Sequence, residues 1–244
     1  SKLLAIKKYY RAWGQVLQPV KEGLDMVSEC TYNYVHMEID KIGSIYLTRQ
    51  NLRLLLGNNR RTLDYRISSL IKKRVLSRLK KGFYINLDYL DKSQFKSQLL
   101  EYLGQVMVYP SYLSTEYVLA EKGFLAESVY GLTYITTKKT RQIITDQATF
   151  IYKNIKSDLF FGFETRKVDE YNYNVASFPK ALFDMIYLTL RKTKEEREEY
   201  LMNSRFNWES LGKNVKAEFK QIVAQTKIKK MQDVCQSLKK RGVI

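Results

Sequence analysis

The chain has 244 residues, 45% of them apolar, with 19 tyrosines and 11 phenylalanines, which is material for one or two folded domains and not for a disordered tail. Its 42 Lys and Arg against 25 Asp and Glu leave a net charge of +17, which points to an anionic partner, nucleic acid before a membrane surface. No apolar run approaches the ~20 residues of a membrane span, no signal-peptide core opens the sequence, and a single histidine, His36, excludes His-rich metal sites and most zinc chemistry. The expectation is a cytoplasmic protein that needs no metal and no cofactor.

Residues 1–40 read as amphipathic helices forming an N-terminal segment of their own. Leu3, Leu4, Ile6, Tyr9, Tyr10 and Trp13 make an apolar-aromatic stripe that breaks near Gly14 and Pro19. A second helix over 19–36 places Pro19 in its first turn and Leu24, Val27, Tyr34 and Val35 in a core. The stripe suits core packing or a dimer contact better than a stacking platform for bases. Cys30 and Cys235 stand far apart without metal-ligand spacing and read as free thiols in a reducing compartment.

Residues 41–90 carry the strongest pattern. Thr48 is an N-cap residue, with Leu52, Leu55 and Leu56 at helical spacing behind it. Gly57-Asn58-Asn59 stops that helix, since Gly and Asn accept the left-handed backbone of a tight turn. A second helix is predicted over 60–73, with Leu63, Ile67, Leu70 and Ile71 on its buried face and Arg61, Tyr65, Ser68, Ser69 and Lys72 on the other. Two short strands follow, Val75 to Leu79 and Phe83 to Ile85, around Lys80-Lys81-Gly82. Helix, turn, helix and basic hairpin in that order predict a winged helix-turn-helix. Its recognition helix would present Asn59, Arg60, Arg61, Thr62, Tyr65 and Arg66 near its start and Ser69 and Lys72 further along, while Arg78, Lys80 and Lys81 of the wing reach phosphate. Between residues 41 and 86 twelve cations face one acid, Asp64, a net of +11, so most of the excess charge lies in under a fifth of the chain. A basic run alone is often a solvated face, but here it coincides with the module.

From 87 to 190 the balance is near neutral, 11 cations against 12 acids, which marks a different kind of domain, read as α+β over 91–190 after a junction at Asp88 to Asp91. A helix is predicted over 93–106, then a short helix capped by Ser114 and ending at Gly123. Strands are predicted at Gly131 to Thr136, at 149–153, at 159–163 and at 173–176, and a helix over 179–190 that is apolar nearly all round and so should be buried. Residues 191–244 are helical and basic, 14 cations against 7 acids, with Glu195, Glu196, Glu198 and Glu199 opening one helix and Leu211, Val215, Phe219, Ile222 and Val223 marking the next. The last helix carries Ile228, Met231, Val234, Cys235 and Leu238 inside and Lys229, Lys230, Lys239, Lys240 and Arg241 outside, either a solvated face or a further anion contact.

Several stretches together resemble the AbiE-type (AbiEi) antitoxins and transcriptional regulators of bacterial type IV toxin–antitoxin systems. Residues Arg74 to Tyr84, RVLSRLKKGFY, resemble the family's wing. Pro110-Ser111-Tyr112-Leu113-Ser114 with Gly123-Phe124-Leu125, and Thr133 to Arg141, TYITTKKTR, resemble two further elements. Phe160-Phe161-Gly162-Phe163 followed by Ala176 to Asp184, ASFPKALFD, resembles a fourth. The likeness covers about residues 45–190, with two departures: Arg74 stands where the wing usually has Gly, and Phe178-Pro179 replaces a Pro-Glu pair. It implies autorepression through double-stranded DNA bearing an inverted-repeat operator, by a monomer in solution or a dimer on DNA. It also implies a central antitoxin domain that counteracts a nucleotidyltransferase toxin, directly or functionally, in an abortive-infection operon of phage defence. Candidate partner contacts in that domain are Ser111, Tyr112, Lys138, Lys139, Arg141, Lys180 and Asp184. The last two could instead pair along one helix at i and i+4.

Two other readings stay open. One is a nucleic-acid-targeted, Mg-dependent nuclease built on Asp158, Glu164 and Lys167, whose spacing is one residue too long for the usual arrangement. The other is a partner- or RNA-binding module without sequence-specific DNA binding. No nucleophile–base set, phosphate loop or dinucleotide fingerprint stands out, so no enzyme is expected.

Overall fold

A computed structural model describes residue 39 and residues 43–126, 129–191, 193–203 and 206–244. The helices expected over 1–36, with Cys30 and His36, lie outside them. Among the described residues the chain is mixed α+β, with nine α-helices and two sheets.

The first unit runs β1 (Tyr46–Thr48), α1 (Arg49–Leu56), α2 (Arg60–Lys72), β2 (Leu76–Lys80) and β3 (Phe83–Asn86), and its strands pair antiparallel in the order β1-β3-β2. Its start is fixed by a reciprocal cap, Asn51 N–H donating to Thr48 Oγ1 at 3.2 Å and Thr48 N–H donating to Asn51 Oδ1 at 2.9 Å. Gly57 takes φ 100 in the turn, and Asn59 caps α2 by accepting the Thr62 N–H at 3.2 Å. Strand alternation then divides this sheet between two cores. Leu47, Leu76 and Tyr84 pack with Leu52, Leu56, Leu63, Ile67 and Leu70 of the helices. Leu79 and Ile85 turn to the main core of the protein, which Ile45, just before β1, also joins.

After α3 (Leu87–Lys92) and α4 (Lys96–Met107), the second sheet is built from β4 (Ser111–Leu113), β5 (Gly131–Thr136), β6 (Arg141–Ile144), β7 (Thr149–Asn154), β8 (Phe163–Val168) and β9 (Tyr171–Ala176). Its order is β6-β7-β5-β4-β9-β8, with β5–β7 and β4–β9 parallel and the rest antiparallel. Helix α4 lies on one face, where the Tyr134 hydroxyl donates to the Glu101 carbonyl at 2.8 Å and that of Tyr152 to the Gly104 carbonyl at 2.6 Å. A Cβ at residue 104 would lie 2.1 Å from the Tyr134 hydroxyl oxygen, so this crossing requires glycine. On the other face sit α5 (Thr115–Glu121) and α6 (Phe178–Thr189); α7 (Lys194–Asn203) follows, and α8 (Lys213–Thr226) and α9 (Lys229–Lys240) are layered outside α6. Phe219, Val223, Met231, Val234 and Leu238 of α8 and α9 join the main core.

The charge boundary near residue 90 is therefore not a packing boundary. Asn86 ends β3 and caps α3 directly, its side chain accepting the Tyr89 N–H at 3.3 Å, so the junction expected at Asp88 to Asp91 is a helix. The Ile45 N–H donates to the Tyr171 hydroxyl at 3.2 Å, and Tyr171 stacks on Tyr102 at 4.6 Å between ring centres.

Three local expectations need correction. The apolar run 159–163 is not a strand: a 3₁₀ turn at Ser157–Leu159 and Gly162, at φ 76, turn the chain so that Phe160, Phe161 and Phe163 pack inward before β8 continues. The helix predicted from residue 93 starts at Lys96. Ser114 occupies the N-cap position of α5 but caps nothing, because its hydroxyl donates to Asp184.

Candidate nucleic-acid interface

The outer face of α2 is open. Arg60, Arg61, Thr62, Ser68 and Lys72 are exposed, and Tyr65 presents 76% of its surface although it is a large aromatic. Ser69 is half-buried beside them. Arg78 on β2 and Lys81 at the Gly82 turn are exposed as well. The one acid in this stretch is neutralised in place. Asp64 pairs with Arg49 at 2.6 Å, and the Arg49 guanidinium holds its carboxyl below the ordinary range. The face that remains is cationic with hydrogen-bonding tips, the chemistry that phosphates and base edges accept.

Not every predicted contact residue belongs to that face. Arg66 donates to the Leu56 carbonyl and so closes the end of α1; it positions the turn instead of reaching outward. Asn59 spends its carbonyl on the α2 cap. Lys80 turns away from the tip of the β2–β3 hairpin: its amine donates to the Met107 carbonyl at 2.5 Å and lies 4.4 Å above the Phe83 ring. Burial, then the charge of Arg141, pushes that amine below its ordinary value. Lys80 is a strut to the central domain, a role hidden from sequence because Met107 lies 27 residues away.

The candidate partner residues divide in two. Lys138, Lys139 and Arg141 are exposed around the β5–β6 turn. Ser111, Tyr112, Lys180 and Asp184 are interior, so they are not surface contacts. Lys180 and Asp184 are both fully buried and pair with each other along α6. Asp184 Oδ2 also accepts the Tyr112 hydroxyl at 2.9 Å and the Ser114 hydroxyl at 2.8 Å. The Lys180 amine lies 5.0 Å from the ring centres of Phe161 and Phe183 and 5.6 Å from that of Tyr112. Gly162 makes room, since a Cβ there would sit 2.9 Å from Lys180 Cγ. Burial pushes the Asp184 carboxyl up and the Lys180 amine down, each opposed by the partner's charge. Ser111 donates to the Val108 carbonyl at 2.7 Å. With its charges paired and its acceptors filled, the cluster locks α6 to β4.

The acid–acid–lysine set is not assembled. Glu164 and Lys167 are three residues apart on β8, where alternation turns them to opposite faces, and Glu164 lies 3.6 Å from Arg166. Among the described residues no cluster of acids, Cys or His has metal-holding geometry, and no helix is long and apolar enough to cross a membrane. Compared with known proteins, the chain matches no family model and no curated protein.

Proposed function

We propose that residues 45–86 form a winged helix-turn-helix that binds duplex DNA, and that the chain is a transcriptional autorepressor and antitoxin of the AbiE type. The observation that carries the DNA-binding reading is the exposed face of α2, where Arg60, Arg61, Tyr65 and Lys72 stand together and Arg49 has taken up the only negative charge. Arg61 lies in the first turn of α2, the part of a recognition helix that meets base edges, while Arg78 and Lys81 follow the backbone. The antitoxin half rests on the resemblance. It gains support from the convergence of two of the four resembling stretches, 110–114 and 160–184, on the one buried Lys180–Asp184 cluster.

The test is a titration of a duplex from upstream of the protein's own coding sequence, with random duplex as competitor, at two salt concentrations. Arg61→Ala is expected to lose about 1–3 kcal/mol on the upstream duplex and little on random DNA. Equal losses on both would remove Arg61 from base recognition, and binding that random DNA competes away equally would reduce the module to a general basic surface.

A further inference from the structure

We propose that the cleft between α7 and α9 binds a small carboxylate with an apolar body, a monoanion about the size of benzoate or hexanoate. The inference is independent of the DNA-binding reading, because no part of residues 45–86 lines the cleft.

The cleft follows from two helical faces. Arg197, Glu198 and Leu201 fall at i, i+1 and i+4 on α7. Val234, Ser237 and Leu238 fall at i, i+3 and i+4 on α9, and Arg241, which ends that helix, continues the row at i+7. These rows border a space of about 250 Å³. At ~30 Å³ per water, that is room for roughly eight water-sized groups, which suits a ligand of eight or nine heavy atoms. The floor is apolar, since Leu201, Val234 and Leu238 are all buried members of the main core. An apolar body laid on that floor removes further hydrocarbon from water. The polar groups stand at the rim, so the lining is apolar with a few side chains placed to orient a bound molecule.

Charge selects the class of ligand. Arg197, Lys240 and Arg241 line the cleft against Glu198 and Asp233, three cations against two acids, an excess of +1 that one carboxylate neutralises. A dianion would overshoot that balance, and an amine would add to the excess. Arg197 is half-buried, and its guanidinium has no ion pair or hydrogen bond among the described residues. A partly desolvated guanidinium without an acceptor is costly, and its planar fork of donors matches the two oxygens of a carboxylate. Ser237, also half-buried, adds a hydroxyl to the same rim. Arg241 is already engaged across the cleft, meeting Glu198 at 3.3 Å, but the two side chains are 43% and 41% exposed. An ion pair that open is weak. Glu198 is therefore a competitor for the site, and a ligand carboxylate replaces it on Arg241.

The experiment is isothermal titration of the full chain at neutral pH with benzoate and hexanoate, and with hexanol and hexylamine as neutral and cationic probes of similar size. Both carboxylates are expected to bind with a Kd of about 1 mM or tighter, a modest affinity for eight or nine heavy atoms. The alcohol and the amine should bind at least about tenfold more weakly, the difference expected of a charge-assisted pair. Three variants then locate the site. Arg197→Gln should weaken benzoate about tenfold or more, and Glu198→Gln, which removes the competitor, should tighten it several-fold. Lys229→Gln, an exposed change on α9 outside the cleft, should leave it unaltered. The gain at Glu198→Gln is the decisive reading, because a damaged fold cannot produce it. Carboxylates that fail to bind, or that bind no better than hexanol, would overturn the inference. Equal losses from Arg197→Gln and Lys229→Gln would do the same by showing attraction to net charge alone, as would a Glu198→Gln variant that binds benzoate no more tightly than the parent.

Discussion

Arg74 is the residue on which backbone and side-chain requirements disagree. It follows α2 at φ 59, with its N–H on the Ile71 carbonyl and the Val75 N–H on the Leu70 carbonyl, both at 3.0 Å. That pair of bonds is the Schellman closure of a helix, whose left-handed position is normally glycine, and Leu70 and Val75 supply the buried apolar contact that goes with it. An L-residue held there costs roughly 1–2 kcal/mol. Glycine offsets part of the gain through its greater freedom in the unfolded chain, roughly 0.5–1 kcal/mol. Arg74→Gly should therefore stabilise the protein by about 0.5–1 kcal/mol, or about 1–4 °C in Tm for a chain of this size. Arg74→Ala is the proper reference, because it removes the same cation and keeps the left-handed strain. Urea midpoints of the two variants at matched salt isolate the backbone term. A glycine variant no more stable than the alanine variant would refute the strain argument.

The buried pair and its neighbours give two further expectations. Asp184→Ala leaves the Lys180 charge buried and uncompensated and should cost about 3–5 kcal/mol; an unfolding free energy from urea melts that falls by less than about 1 kcal/mol would mean that Lys180 is already neutral or finds water. Glu116 is the reverse case: burial alone would raise its carboxyl, but Lys153 at 2.7 Å overrides that and holds it below the ordinary value. Its contribution is fully present above the unfolded value of about 4.3 and is lost as pH falls through the folded one. Lys153→Met should thus be less stable than the parent at neutral pH, with the gap narrowing below about pH 4; a gap independent of pH in urea melts would exclude the pair as its cause.

Residues whose partners lie within a few positions were legible in sequence. Thr48, Asn59 and the Leu63–Ile67–Leu70 stripe act where the caps and the helical period put them. The strands Gly131–Thr136 and Thr149–Asn154 were also visible, because β-branched and aromatic residues concentrate there. What misled were side chains whose partners are distant. Lys80 reads as a wing-tip cation until Met107 is beside it, and Lys180 and Asp184 read as surface charges until Tyr112 and Ser114, some 70 residues away, close over them. The edge strand Arg141–Ile144 is short and mostly exposed, so it carries no hydrophobic alternation to find. Residue 74 is a different case. Its left-handed backbone suits glycine, and the structure holds it with Arg74 in place, a requirement that helix periodicity does not reveal.

The position of residues 45–86 against the central sheet bears on how the proposed DNA contact would be made. The unit is not hung on a linker: α3 begins at the residue after β3, Ile45, Leu79 and Ile85 are part of the main core, and Tyr171 and Met107 each bind it through a polar contact. Turning α2 relative to the central sheet would expose those apolar side chains and break both hydrogen bonds. The placement of the first unit against the main core is therefore a property of the fold, not of a flexible tether. On a duplex it would place the central domain at one fixed position along the axis. If residues 45–86 bind duplex DNA as proposed, a second copy on a palindromic site would be positioned by the same constraint.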